Sequence, residues 1–360
     1  MNIVIRVDGG EHVGMGHIMR CLALADNLIK FNINSIFVIK NSFKSVKNKI
    51  EEKNYEIKNI PPNSDINKDV NSTIDIIKKT NSNMAITDLC NTEMLKLLDN
   101  YKRYLIELKK NVPFLVTIDD LNLIKFPSDI VINPNYGAEK FIPKSIKNYN
   151  SKFLYGVRYY IFRREFLRVI KKQREIREQS ENILITMGGN DLNNLTVKVI
   201  QSISDHDLSK LNFKIVVGSA YSDDKIKKLL SIIEILNTNY QIITDAGNMA
   251  ELMLWCDLAF TACGLTRYET AVTGTPSITI SQHIYEQKVM QDFKTAGTTE
   301  YLGLDKDVTK QQISDIFLDL LSNKKQREKM SRNGKRLVDG KGLARITNEI
   351  KNLGYLEEEK

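Results

Sequence analysis

A chain of 360 residues, 42% hydrophobic and 27% charged, has the make-up of a soluble globular protein. It is long enough for two domains of about 150–200 residues, each able to bury a core without disulfides or metals. Four cysteines with no CxxC pair exclude a disulfide framework and fit a reducing cytoplasm. The net charge of +8 is spread over segments that also carry acids, as in "KKQREIREQ" and "NKKQREKMSRNGKR". That pattern argues against a nucleic-acid partner, while a mild positive field favours an anionic substrate or a membrane surface.

In chain order, "NIVIRV" reads as a strand and His17 to Lys30 as a helix with apolar Ile18, Cys21, Leu22, Leu24, Ala25 and Leu28. "SIFVIK" is a second strand, followed by a charged helix from Phe43 to Lys53. "NMAITD", "PFLVTIDD" and "DIVINP" continue the strands, with the helix "EMLKLLDNYKRYLIELKK" between the first two. From Phe162 to Ser180 the chain is charged and free of turn residues, and is expected to be a helical connector centred on residues 166–180. A second series follows: "NILITM", "FKIVVG", "YQIITD", "LAFTAC" and "PSITIS", then a polar helical tail after Asp305. Strands alternating with helices predict two doubly wound parallel α/β domains, 1–165 and 181–360. No run approaches the roughly 20 apolar residues of a membrane span, and no signal peptide is expected from "MNIVIRVDGG".

Each glycine cluster follows a predicted strand, where open parallel sheets bind ligands. Gly14 and Gly16 precede His17 at a helix start, a place where backbone N–H groups attract anions and an imidazole is kept neutral. His17 can be a general base there, or a plain helix cap. Asp8 can orient it, contact substrate or cap the turn, and Arg6 and Arg20 are the nearest cations. The pattern lacks the third glycine and the distal acid of a dinucleotide site, and it lacks GK[ST]. In "TMGGNDLNNLT" a Gly188-Gly189 turn, with Asn190 beside it, suits a phosphate, although any strand–helix turn can hold two glycines. In "DLAFTACGLTRYETAVTGTPSITIS" a turn at Gly264, Leu265 and Thr266 opens a helix carrying Glu269, which can accept both hydroxyls of a ribose or merely cap its own helix. His12, His17, His206 and His283 lack metal-ligand spacing, so no metal is expected.

"RVDGGEHVGMGHIMRCLALA", "ITMGGND" and "GLTRYETAVTGTPSITIS" occur together and in this order. The joint pattern resembles the UDP-2,4-diacetamido-2,4,6-trideoxy-β-L-altropyranose hydrolase family of pseudaminic acid biosynthesis (PseG and SpsG). More distantly, it is similar to the peptidoglycan N-acetylglucosaminyltransferase MurG. The resemblance implies a GT-B architecture of two Rossmann-like domains, with a UDP-sugar as partner and no cofactor. By that likeness His17 is the general base that activates water against the anomeric carbon, in a metal-independent, inverting reaction. Asp8, Gly14 and Gly16 match the loop that shapes the sugar pocket, with Arg20 beside it. Gly188 and Gly189 match the phosphate turn, Thr266 a position near the diphosphate, and Glu269 the ribose acid. The third strand keeps Asp88 but carries no aromatic or histidine after it in "ITDLCNTE". Transfer to an acceptor, or nucleotide-sugar binding without turnover, are the rival readings. "NSFKSVKNKIEEKNYEIK" and "PPNSDINKDVNS" offer no obvious apolar patch for a membrane-borne acceptor, which leans toward hydrolysis.

Overall fold

A computed structural model describes residues 1–10, 15–40, 43–89, 98–120, 127–143, 150–189, 191, 193–218, 221–234, 238–244, 246–284 and 286–353. The chain divides into two units, Met1–Arg163 with Gly340–Lys360, and Arg164–Asp339.

In the first unit a seven-stranded parallel sheet is built from β1 (Asn2–Val7), β2 (Asn34–Ile39), β3 (Glu56–Asn59), β4 (Ser82–Asp88), β5 (Phe114–Ile118), β6 (Ile130–Asn133) and β7 (Lys152–Tyr155). The spatial order is β3-β2-β1-β4-β5-β6-β7. Helices α1 (Gly16–Leu28), α2 (Lys44–Glu51), α3 (Ile66–Lys79) and α4 (Leu98–Asn111) make the crossovers. Ile3, Val4, Ile5 and Val7 of β1 are fully buried, as expected of a strand covered on both faces. Arg6 is fully buried among them and is neutralised by two carboxylates, Asp8 and Asp69. Tyr104 donates to Asp69 from α4 and completes this buried network.

The second unit has a six-stranded parallel sheet of β8 (Asn182–Thr186), β9 (Asn212–Val217), β10 (Asn239–Thr244), β11 (Leu258–Ala262), β12 (Ser277–Ser281) and β13 (Glu300–Leu304). Its order is β10-β9-β8-β11-β12-β13. The helices in chain order are α5 (Arg164–Val169), α6 (Leu195–Ile203), α7 (Asp223–Ile233), α8 (Met249–Trp255), α9 (Thr266–Thr273), α10 (Glu286–Thr295), α11 (Lys310–Ser322) and α12 (Lys324–Leu337). A final helix, α13 (Gly342–Asn352), belongs to the first unit.

Two expectations need correction. The segment 166–180 is not a helical connector: α5 ends at Val169 and the chain then runs without regular structure. Beyond Val169 it supplies too few apolar residues for a buried stripe. Arg174 instead lies under the helix ends, donating to the carbonyls of Met253, Cys256 and Thr273 and to Thr275 Oγ1. The three carbonyls are backbone acceptors at the ends of α8 and α9. Nor does the tail after residue 339 stay with the second unit. Asn27 of α1 donates to Thr347 Oγ1 of α13 at 2.7 Å, and Gly342 lies so close to Tyr160 that an added Cβ would meet its carbonyl oxygen at 2.0 Å. Among the described residues no helix is long and apolar enough to cross a membrane.

Candidate active site

Both sheets reverse their winding beside the first strand of the unit, between β1 and β4 and between β8 and β11. The crevice outside the carboxyl ends of such strands is where doubly wound sheets place ligands. In the first unit His17, Arg20 and Asp88 come together at that point, and in the second the Gly188-Gly189 turn and the start of α9 follow the paired strands β8 and β11.

In the first unit α1 has Met15 as its N-cap, with no side chain capping it. Gly16 is its first residue and His17 its second. Gly14 lies outside the described residues. His17 Nδ1 is 2.7 Å from Oδ1 of Asp88, the last residue of β4. Asp88 is fully buried and the His17 side chain is 17% exposed. Arg20, one turn further along α1, grips Asp88 with a fork, Nε to Oδ2 at 2.6 Å and Nη2 to Oδ1 at 2.6 Å. Its other edge grips Asp120, Nη1 to Oδ1 at 3.0 Å and Nη2 to Oδ2 at 2.7 Å. Burial would raise the Asp88 carboxyl, but the Arg20 guanidinium and His17 outweigh it and hold it well below the usual carboxylate range. Asp88 is therefore an ionised acceptor. It accepts the hydrogen bond from Nδ1–H, and among the described residues nothing bonds Nε2.

Asp8 sits elsewhere. Its carboxylate receives Arg6 Nη1 at 2.6 Å and Nη2 at 2.8 Å, and the backbone N–H of Lys40 at 2.8 Å. The residue that orients His17 is Asp88, not Asp8. Asp8 ties the end of β1 to the end of β2, and Gly10 follows in contact with the Phe43 ring, where a Cβ would come within 2.3 Å. Asp120 escaped the sequence reading. A signal was present in the paired acids that end "TIDD", at the carboxyl end of the strand next to β4.

In the second unit Gly188 and Gly189 follow β8. Gly188 takes φ +85°, and an added Cβ at either glycine would meet nothing within 4 Å, so both face open space. Gly218, after β9, packs so tightly on the Gly189 backbone that a Cβ would lie 2.1 Å from its carbonyl oxygen. Asn190 lies outside the described residues. The helix after this turn cannot offer its first amides to a ligand, because Asp191 already accepts from the N–H groups of Leu195 (2.7 Å) and Thr196 (2.9 Å). After β11, Gly264 is exposed with open space at its Cβ position, Leu265 is the N-cap of α9 and Thr266 its first residue. No side chain caps α9. Glu269 is buried in its first turn, where the helix dipole favours a carboxylate. The far end of α9 is closed by Gly274 at φ +67°, with Gly274 N–H to Ala271 O (3.1 Å) and Thr275 N–H to Thr270 O (2.8 Å). Among the described residues no group of three His, Cys, Asp or Glu side chains has metal-site geometry.

Residues 162–291 match the family model of lipid-A-disaccharide synthetase. An uncharacterized protein of Methanocaldococcus jannaschii is 32% identical over 302 residues, 81% of this chain and 58% of that protein's length. The spore coat polysaccharide biosynthesis protein SpsG of Bacillus subtilis is 24% identical over 359 residues, 98% of each chain. UDP-2,4-diacetamido-2,4,6-trideoxy-β-L-altropyranose hydrolase of Campylobacter jejuni is 24% identical over 253 residues, 70% of this chain and 81% of that one. Among solved structures, MurG of Acinetobacter baumannii superposes with a TM-score of 0.70 at 12% identity, covering 98% of this chain and 99% of that one. MnaA of S. aureus, solved with UDP, does so at 0.65 and 13% identity, covering 100% and 98%. The chain thus has two parallel-sheet α/β domains of the GT-B type found in MurG-like glycosyltransferases, and its sequence is similar to SpsG along its whole length and to the altropyranose hydrolase over most of it.

Proposed function

We propose that the protein is a cytoplasmic nucleotide-sugar hydrolase that releases UDP from a UDP-linked diacetamido-trideoxyhexose, on a route to a pseudaminic-type nonulosonic acid. The observation that carries this reading is the His17–Asp88 pair at the β1/β4 switch point, 2.7 Å apart. Asp88 holds the Nδ1–H, which leaves the Nε2 lone pair to take a proton from water. The resulting hydroxide attacks the anomeric carbon, the C1–O bond to the diphosphate breaks, and UDP leaves with that bond's electron pair. The imidazolium formed on His17 is stabilised by Asp88 and later returns its proton to solvent. One displacement inverts the anomeric centre.

The nucleotide reading rests on the second unit. The open Gly188-Gly189 backbone and the start of α9 at Gly264, Leu265 and Thr266 supply N–H groups for the departing diphosphate. Glu269 accepts the ribose hydroxyls. Asp8, Gly14 and Gly16 shape the sugar side, and Asn190 adjoins the phosphate turn. Arg20 acts by holding Asp88 rather than by touching substrate.

The test is UDP release from a panel of UDP-amino sugars in the absence of any acceptor, for the wild type and for His17→Ala. Rapid release from a diacetamido-trideoxy sugar, lost in the variant while UDP still binds, supports hydrolysis. A second reading, transfer to a sugar or lipid acceptor, is favoured by the match of residues 162–291 to the synthetase model. A wild type that stays inert until an acceptor is added establishes that reading and sinks the first.

A further inference from the structure

Arg20 Nη2 lies within reach of three acceptors: Asp88 Oδ1 at 2.6 Å, Asp120 Oδ2 at 2.7 Å and His17 Nδ1 at 3.0 Å. It carries only two hydrogens. The carboxylates are the shorter and charge-assisted partners, so they take both. The Nε hydrogen goes to Asp88 Oδ2 and one Nη1 hydrogen to Asp120 Oδ1, which makes each carboxylate bidentate. Nδ1 of His17, although 3.0 Å from a guanidinium nitrogen, is left without a donor. It must carry its own hydrogen and give it to Asp88.

We propose that Asp120 is a positioning residue for His17: by taking the second Nη2 hydrogen of Arg20, it prevents the guanidinium from donating to Nδ1 and so keeps Nε2 unprotonated. Without the Asp120 carboxylate, one Nη2 hydrogen is free within 3.0 Å of Nδ1. Donation from that hydrogen to Nδ1 then competes with donation from Nδ1–H to Asp88 Oδ1 at 2.7 Å, and wherever it wins the ring proton sits on Nε2, the tautomer that cannot accept a proton from water. Asp120 thus reaches His17 from the third strand involved, β5, through Arg20. Its side chain is 24% exposed against 3% for Arg20, so Asp120 forms the outer end of the chain.

This inference rests on His17 acting as the base, but its first test does not need turnover. Ring-15N-labelled histidine in the intact protein reports the tautomer directly, with His17→Gln identifying the signal. In the wild type we expect the neutral His17 ring protonated at Nδ1. In Asp120→Ala, a substantial population moves to the Nε2–H form and kcat for UDP release falls about tenfold, while the Kd for UDP is unchanged. Asp120→Glu restores both in part. Should Asp120→Ala fold poorly, Asp120→Asn serves, because its amide oxygen takes one of the two bonds and its NH2 group cannot take the other. A ring that stays in the Nδ1–H form in these variants overturns the proposal, as does a wild-type kcat. If the tautomer shifts in a protein that hydrolyses none of the UDP-sugars, the positioning role stands and the hydrolase reading falls.

Discussion

Nδ1 of His17 and Oδ1 of Asp88 lie 2.7 Å apart although 71 positions separate them in the chain. They meet because β1 and β4 are neighbours in register, with Val7 opposite Asp88, so the turn after one strand faces the last residue of the other. Such a pair fixes the orientation of the ring and, with both Nη2 hydrogens of Arg20 engaged by carboxylates, its tautomer. For His17→Ala we expect kcat for UDP release to fall by roughly 10²–10⁴, the range a general base contributes, with UDP affinity unchanged. Loss of UDP binding in calorimetry would instead make His17 a nucleotide contact.

Asp88 also bears on stability. Burial would raise its carboxyl, while Arg20 and His17 more than offset that and leave the folded-state value below the unfolded one of about 3.9. A lowered folded value gives stability that is full above the unfolded pKa and lost as pH falls toward the folded one. Asp88 should therefore add no slope to Tm between pH 7 and 5, and a fall below about pH 4. Asp88→Asn removes that share of the acid slope and costs about 3 kcal/mol at pH 7, because buried Arg20 loses its buried counter-charge and keeps only the partly exposed Asp120. Thermal melts across pH for both proteins check this. Coincident curves would rule it out.

The two glycines after β8 should respond differently. Gly188 holds φ +85°, so Gly188→Ala costs about 1–2 kcal/mol from the backbone alone. Gly189 has an ordinary φ and open space at its Cβ position, so Gly189→Ala should leave Tm unchanged. If a diphosphate rests on this turn, the added methyl still obstructs it, and UDP affinity falls in a variant of wild-type stability. Unchanged affinity would remove the turn from the site.

Glu269 gives a separate test of the nucleotide side. A carboxylate accepting ribose hydroxyls contributes about 1.5–3 kcal/mol, so Glu269→Gln should raise the Kd for UDP roughly tenfold or more. The same variant should bind uracil-free ribose diphosphates with a similar loss. A loss confined to UDP would assign Glu269 to the base rather than the ribose.

Much of the fold was legible because its strands are short apolar runs bounded by glycine and charge. "NIVIRV" became β1 without change, and the described glycine turns after β8 and β11 lie at the carboxyl ends of their strands, as expected. Strands β3, β7 and β13 were missed because "EIKN" is half exposed and polar, "KFLY" is only four residues long, and "EYLGL" has a glycine inside it. The segment 166–180 was misread because its charge pattern resembles that of a solvated helix, and nothing local shows that Arg174 has helix-end carbonyls to satisfy. The partner of His17 was likewise hidden. Asp8 is close in sequence but belongs to Arg6, and only strand order brings Asp88 and Asp120 to Arg20.

The return of α13 to the first unit means that the chain crosses between units twice, near residues 163 and 339. The second unit is an insertion within the first rather than a module appended to it. A single proteolytic nick at either crossing leaves the two parts covalently joined through the other. A fragment ending at residue 163 would lack the helix that covers Asn27 and Tyr160, and should aggregate, whereas residues 164–339 hold their sheet and helices in one uninterrupted stretch and can be expressed alone.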